Sequence, residues 1–343
     1  MAAFDVRLLS GFDDPILASE AWDRLLHTGD SDVVFLTRPW QQAWWECFGR
    51  GRLLLLAVEH DGELAALAPL FAEAGMVFFV GSGGSDYLDF VGDIGDPGIL
   101  AAILAIARVQ TTDFVGFRFY HVPDSSRTGR RLQAAADRLG LVCFDEGDLP
   151  APALALAARP EAAQAAVARK SLLRHERFFR REGGLEVEHL YDGRAILPHL
   201  EELFAQHLAR WQRTPYPSLF HQPAQREFYR RVTALAEDTG WLRFTRLVWH
   251  GRTIACHFGF NYRGSYLWYK PAFDIDLAQR SPGEALLRQL LLAAIEEGAH
   301  TLDFGLGDEP FKRRFATHVA TVRTWGLYPA EALADPSEGR SSR

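Results

Sequence analysis

The chain is poor in the features that mark secreted, membrane-spanning and metal-binding proteins. Its three cysteines, Cys47, Cys143 and Cys256, lie far apart without CxxC spacing, which argues against a disulfide framework or a cysteine-ligated metal. No apolar run approaches the ~20 residues of a membrane-spanning helix. The N-terminus also lacks a basic region followed by an apolar stretch. We therefore expect a cytoplasmic protein, and contact with a membrane surface stays open.

The chain also has fewer basic than acidic residues. The formal net charge is -7, from 37 Lys and Arg against 44 Asp and Glu, whereas nucleic-acid-binding domains are expected to carry a basic excess. The sequence contains no HExxH or HxH motif, no carboxylate cluster at ligand spacing and no GxSxG elbow. We therefore expect no DNA binding, no metal cofactor and no Ser-His-Asp hydrolysis.

What the sequence does contain is two successive runs of alternating strand and helix patterns. With 343 residues, 48% of them hydrophobic, the chain is long enough for two domains. Each run includes two strands joined by a tight turn, Asp61-Gly62 in the first and His250-Gly251 in the second. We predict an α/β (α+β) protein with two tandem domains of mixed sheets flanked by helices, at 1–150 and 160–328, and a flexible tail at 329–343.

The second run contains a loop suited to an anion, Arg280-Ser281-Pro282-Gly283-Glu284-Ala285. Apolar residues at helical spacing follow it, so a helix begins at this turn. A helix N-terminus offers unpaired N–H groups and a positive dipole end to a phosphate. Glycine at 283 lets the backbone approach a ligand closely, and the small residue at 285 keeps the path open. A Ser-Pro start on an ordinary amphipathic helix is the alternative.

Arg280, Gly283 and Ala285 fit the pattern R/Q-x-x-G-x-G/A, which resembles the coenzyme A pyrophosphate loop of the GNAT acyltransferases. A wider pattern is similar to the CelD-like acyltransferases (BioF2-like acetyltransferase domain), which are related to the FemABX aminoacyl transferases. The resemblance is clearest over about 160–328 and fainter upstream. The segments that carry it are 251–255, 266–274, 281–283, 302–304, 311–312, 35–45 and 86–89.

This resemblance implies two GNAT-like halves, of which only the second binds a donor. The implied donor is an acyl-CoA, acetyl-CoA or longer, whose acyl group passes directly to an amine. The implied donor-binding residues are Arg280, Ser281, Gly283, Glu284, Ala285 and Tyr269. Main-chain amides near Tyr269, on the strand before the loop, would pair with the pantetheine arm and polarise the thioester carbonyl.

Acyl transfer also needs a proton acceptor for the ammonium group and a donor that stabilises the oxyanion. Lys312, in Gly-Asp-Glu-Pro-Phe-Lys, resembles the lysine that FemABX relatives place beside the reacting carbonyl, with Asp303 or Asp308 expected to orient it. Asp303 ends a predicted strand, where open α/β sheets place chemistry. An exposed salt bridge on a short turn is the alternative for Lys312.

Two further residues are candidates for catalysis. His257 has a suitable pKa range for a base, although histidines in strands are more often structural. Asp86 lies in the glycine-rich segment 81–89, which is either an active-site loop that brings Asp86 into the groove between the domains or a plain surface turn.

The most basic segment, 169–181, is predicted to be a helix whose apolar stripe includes Leu172 and Phe179. It is either a solvated face or a surface for the phosphates of the donor or for an anionic acceptor. The sequence thus favours an acyl-CoA-dependent N-acyltransferase, whose acceptor is an amino sugar of an envelope polysaccharide or a long-chain amine such as a sphingoid base. Alternatives are an aminoacyl-tRNA-dependent FemABX-type enzyme and a non-catalytic GNAT-like scaffold in exopolysaccharide assembly.

Overall fold

The computed structural model describes residues 4–17, 19–212 and 214–333, which form two compact units. The first contains the chain up to Leu149 and again from Thr321 onward, and the second is Pro150–Ala320. The chain therefore enters the second unit at residue 150 and returns to the first with its last strand.

Strands and helices alternate along both units, as the sequence patterns predict. The strands β1 to β13 are Phe4–Leu8, Arg52–His60, Glu63–Glu73, Met76–Phe79, Val91–Gly92, Gly116–Pro123, Leu141–Ala155, Leu185–Leu190, Leu242–Trp249, Arg252–Tyr262, Ser265–Phe273, Thr301–Asp303 and His318–Pro329. The helices α1 to α12 are Ser19–Thr28, Arg38–Phe48, Pro97–Gln110, Thr128–Leu139, Pro160–Val167, Lys170–Arg181, Gly193–Ile196, Leu200–Trp211, Pro223–Leu235, Pro282–Glu296, Pro310–Arg313 and Ala330–Leu333.

The first unit is built on a mixed sheet in the order β1-β2-β3-β4-β6-β13, with β5 paired to β3. Strands β1 to β4 are antiparallel neighbours, β4 runs parallel to β6, and β13 is antiparallel to β6. The predicted turn between β2 and β3 places Asp61 and Gly62 at φ 53 and 81, which suits a tight hairpin. The aromatic side chains Trp22, Trp40, Phe79 and Phe119 are fully buried in its core.

The second unit is also a mixed sheet, in the order β7-β12-β11-β10-β9-β8. Strands β8 to β11 form an antiparallel meander, and β12 is parallel to β11 and antiparallel to the end of β7. Helices α5, α6 and α10 share one apolar core with the sheet. Helices α8 and α9 form an aromatic cluster with β10, in which the rings of Tyr229 and Phe258 are 5.3 Å apart. The predicted mixed α/β class is confirmed.

Two expectations concern the chain end and the membrane. Most of the predicted tail at 329–343 lies outside the described residues, and Ala330–Leu333 form α12. Within the described ranges, no helix combines the length and the apolar character that a membrane span needs.

Candidate active site

The candidate site lies where two parallel strands of the second unit separate. Strand β11 pairs with β12 as far as Leu267, which faces Asp303. Beyond this pair, β11 continues to Phe273. The chain after β12 no longer pairs with β11 and follows β7 instead, because the Phe304 N–H donates to the Pro152 carbonyl at 3.1 Å. The opening thus forms at the carboxyl end of β12, the kind of position at which open α/β sheets bind their ligands.

The loop after β11 ends in the N-terminus of α10, as predicted. Ser281 takes a left-handed conformation, φ 50 and ψ 57, and α10 begins at Pro282. The Ser281 carbonyl accepts the N–H groups of Glu284 at 3.0 Å and Ala285 at 3.4 Å. A left-handed serine costs about 1–2 kcal/mol, and such strain is often found at functional loops. The Gly283 N–H is the first amide N–H of the helix. The two amides that bond the Ser281 carbonyl are those of Glu284 and Ala285.

Gly283 lies inside the first turn of α10 and lacks the positive φ of a conformationally required glycine. A Cβ at this position would meet the ring of Phe273 at 3.4 Å, which is ordinary van der Waals contact. The fold itself therefore does not demand glycine here.

Basic side chains from three segments surround the start of α10. The carboxylate of Glu284 lies 3.7 Å from Nε2 of His175 on α6 and 3.6 Å from Nη1 of Arg314, which follows α11. The guanidinium of Arg280 stacks 4.5 Å above the ring of Phe178 on α6. The basic segment singled out in the sequence therefore borders the predicted phosphate loop. Sequence reasoning missed Arg314, whose only signal was its place just after the Phe-Lys pair.

A buried ion pair holds α6 against α10. Glu176, 5% exposed, accepts a hydrogen bond from Nε of Arg180 at 2.6 Å and another from Nη1 of Arg288 on α10. Arg288 Nε also donates to the Val167 carbonyl at 3.2 Å. The sequence signal for this contact was a carboxylate within the apolar stripe of a basic helix.

Lys312 is buried and fixed in the short helix α11, which follows β12. Lys312 is only 5% exposed. Its Nζ donates to the Leu306 carbonyl at 2.6 Å and pairs with Oε2 of Glu309 at 2.9 Å. In the same helix, the ring of Phe311 lies 6.4 Å from Trp268 on β11. The ammonium group is thus held by a main-chain carbonyl and a carboxylate.

Asp303 and Asp308, the acids expected to orient Lys312, each make another contact. Asp303 Oδ1 accepts the Gly305 N–H at 2.8 Å. Asp308 pairs with Arg313, and this hydrogen bond lowers the pKa of the Asp308 carboxyl. Glu309 also places a carboxylate oxygen 2.9 Å from Lys312 Nζ, and the orienting role of Asp303 or Asp308 stays a prediction.

His257 lies in the core on β10. It is fully buried, its Nε2 accepts the main-chain N–H of Tyr269 at 3.0 Å, and its ring stacks on Trp268 with centroids 5.4 Å apart. Burial lowers the pKa of His257 to about 3, so the ring is neutral at pH 7. This environment suits a hydrogen-bond acceptor better than a base that exchanges protons with solvent.

The remaining predicted residues divide between the two units. Tyr269 is nearly buried on β11, with Nζ of Lys270 3.9 Å from its ring centroid. Asp86 belongs to the first unit and is partly exposed, and its role stays a prediction. The neighbouring Asp89 is buried and accepts hydrogen bonds from Ser31 at 2.7 Å and Thr128 at 2.6 Å, so it anchors this loop. Over the part of the chain that the structure describes, no group of three or more His, Cys, Asp or Glu could hold a metal ion.

Comparison with known proteins finds a family match within the second unit. Residues 166–313 match the family model of the acetyltransferase (GNAT) domain. No curated protein matches the chain. Among solved structures, FemX has 11% identity over 96% of this chain and 98% of its own, with a TM-score of 0.67.

Two more structures share the fold. A tandem GNAT protein from the clavulanic acid biosynthesis pathway, solved without AcCoA, has 12% identity over 98% of this chain and 100% of its own, with a TM-score of 0.55. L-PGS from Bacillus licheniformis has 14% identity over 85% and 92%, with a TM-score of 0.53. At such identities the likeness shows the fold alone. Residues 166–313 thus match the GNAT acetyltransferase domain, and the chain has the fold of FemX and of a tandem GNAT protein.

Proposed function

We propose that the protein is an acyl-CoA-dependent N-acyltransferase that moves an acyl group from a thioester directly to an amine. The observation that carries this proposal is the start of α10, which lies inside the GNAT domain and is surrounded by Arg280, His175 and Arg314. A helix N-terminus with adjacent arginines is a favourable environment for a pyrophosphate.

The exposed face of α6 supports a nucleotide-bearing donor. Lys170, Arg174 and Arg177 are exposed and stand four and three residues apart, so they share one side of the helix. Arg174 Nη2 lies 3.2 Å from His175 Nε2, next to Glu284 on α10. These cations would bind the outer phosphates of coenzyme A, with the pyrophosphate at Gly283.

The chemistry is assigned to the opening between β11 and β12. The pantetheine arm would lie along β11 beyond Leu267, which brings the thioester to the opening, near Tyr269. Lys312, held by Leu306 and Glu309, would stabilise the oxyanion as a fixed charge in a site of low dielectric. Asp303 at the end of β12 is the proposed proton acceptor. Direct transfer needs no covalent intermediate, because positioning an amine against a thioester removes much of the entropic barrier.

The acceptor classes to screen are an amino sugar of an envelope polysaccharide and a long-chain amine such as a sphingoid base. The main alternative concerns the donor, because the same cations on α6 would also suit the phosphates of an aminoacyl-tRNA. One experiment separates the two donors.

The test is thermal unfolding of the full chain with coenzyme A, acetyl-CoA, a long-chain acyl-CoA or an aminoacylated RNA minihelix. A donor at 100 times its Kd stabilises the folded protein by about 2.7 kcal/mol, or roughly 5–10 °C for a unit of this size. Gly283→Glu should abolish the shift, because its carboxylate would occupy the phosphate position. Its unliganded melting point should stay near wild type, since a Cβ fits at 3.4 Å from Phe273.

Gly283→Ala is the matched control and should keep most of the shift. An equal shift in Gly283→Glu would contradict the assignment of the loop. A shift with the minihelix and with none of the CoA compounds would support the aminoacyl-tRNA donor instead.

A further inference from the structure

Strand β11 carries a bulge at the point where it leaves β12. Opposite β10, Phe258 faces Lys270 but Phe260 faces Leu267, so two steps on β10 match three steps on β11. The extra residue lies at Trp268 or Tyr269, directly after the last pair with β12. A bulge bends a strand and changes the direction in which its main-chain groups point. Bulges are common next to active sites.

The imidazole of His257 lies against the bulged part of β11. Its Nε2 accepts the Tyr269 N–H at 3.0 Å, so a side chain supplies an acceptor for an amide in the irregular part of the ladder. A Cβ on Gly259 would lie 2.2 Å from Cε1 of His257 and 2.4 Å from the Leu267 carbonyl oxygen. The ring therefore lies over Gly259 and against the main chain of β11.

Keeping this ring in the core has a cost. His257 is 0% exposed, and its Nδ1 has no hydrogen-bond partner within the described ranges. Because Nε2 accepts a hydrogen bond, the proton of the neutral ring is on Nδ1, and a buried donor without a partner costs about 1–3 kcal/mol. A leucine of similar volume would avoid that cost but could not accept the Tyr269 N–H. Two main-chain contacts with β11 offset this cost: Nε2 accepts the Tyr269 N–H, and the Leu267 carbonyl interacts with the ring, which raises the pKa of His257 against the larger effect of burial.

We propose that His257 is a positioning residue, which holds the bulged main chain of β11 so that the strand beyond Leu267 can receive and orient the thioester. This inference rests on the proposed function, since it assigns a role to the strand that would bind the donor. His257 acts through Tyr269 and does not itself exchange a proton with the substrate. The hydrogen-bond acceptor, rather than a titrating group, is what the site requires at this position.

The test compares His257→Leu, which removes the acceptor, with His257→Gln, whose side-chain oxygen can replace Nε2. Turnover is measured with acetyl-CoA and the amine that gives the highest wild-type rate in a screen of amino sugars and long-chain amines. We expect His257→Leu to lower kcat about 10- to 100-fold, while KM for acetyl-CoA stays within about twofold. His257→Gln should recover most of kcat, and neither variant should change the shape of the pH profile.

A second readout needs no turnover. Hydrogen exchange of the peptide covering 265–273 should be slow in wild type and in His257→Gln but faster in His257→Leu, because the Tyr269 amide loses its acceptor. Wild-type kcat in His257→Leu, or equal defects in both variants, would overturn the inference. If coenzyme A neither stabilises the wild type nor supports turnover, the proposed function fails, and the exchange result still decides whether His257 holds the strand.

Discussion

Glu176 offers a direct test of how the basic helix α6 is held beside the phosphate loop. Its carboxylate is buried, 5% exposed, and bonds Arg288 on α10, whose side chain is 17% exposed. Removing one member of a buried pair leaves the other charge without compensation, which typically costs about 3–5 kcal/mol. Because Arg288 retains some solvent contact, we expect Glu176→Ala to lose about 3 kcal/mol. For a unit of this size, that loss lowers the melting point by roughly 6–12 °C.

The double variant Glu176→Met/Arg288→Met should be more stable than either single variant, because it removes both charges together and keeps similar volume. Recovery should be incomplete, since the Val167 carbonyl loses its donor, Arg288 Nε, at 3.2 Å. Arg181→Gln is the control. Arg181 pairs with Glu182 at the surface, and exposed pairs contribute only about 0–1 kcal/mol.

The assay must report on the second unit alone, because a chain with two compact units need not unfold in one transition. Thermal unfolding is therefore combined with hydrogen exchange of peptides from α6 and α10, which should lose protection in Glu176→Ala and regain it in the double variant. A loss in Glu176→Ala no larger than that of Arg181→Gln would refute the reasoning. A double variant less stable than Glu176→Ala would refute it as well.

Two further predictions concern the segment after β12 and the first unit. Lys312→Ala and Asp303→Asn should each lower kcat, the lysine change by about 100-fold, with coenzyme A affinity unchanged in a binding titration; near-normal rates in both would remove these residues from the site. Asp30 accepts hydrogen bonds from Arg127 and Arg131. Burial alone would raise the pKa of the Asp30 carboxyl, but these two arginines lower it by more, so the net shift is downward. A lowered folded-state pKa gives stability that is present above the unfolded value and is lost as pH falls through the folded one. Asp30→Asn should therefore lower the melting point near pH 6–7, and this deficit should shrink as the pH falls below the unfolded Asp value of about 3.9; a deficit that does not change with pH would contradict this.

The sequence was most informative where one stretch of chain carries its own physical signal. Helical spacing and the Ser-Pro-Gly turn placed the start of α10 correctly, at Pro282. Two dipeptide turns identified the β2–β3 and β9–β10 hairpins, since the residues in such a tight turn adopt positive φ whatever the rest of the fold does. The basic character of α6 was also visible from composition.

What the sequence did not reveal are contacts between distant segments. Arg314 reaches Glu284 across thirty positions, and Arg288 reaches Glu176 across more than one hundred. The ion pair between Lys312 and Glu309 was not predicted either. It depends on how the segment after β12 folds back so that Nζ also reaches the Leu306 carbonyl, which no local pattern encodes.

His257 shows why residue type alone is a weak guide to role. A histidine is a natural candidate for a base because its ordinary pKa lies near neutrality, but burial in the core removes that property. What remains is a neutral ring with one nitrogen that accepts a hydrogen bond from Tyr269. That role depends on a one-residue shift in register between β10 and β11, and such a shift is set by the pairing of whole strands. The chemistry of a buried polar residue therefore follows from the backbone around it.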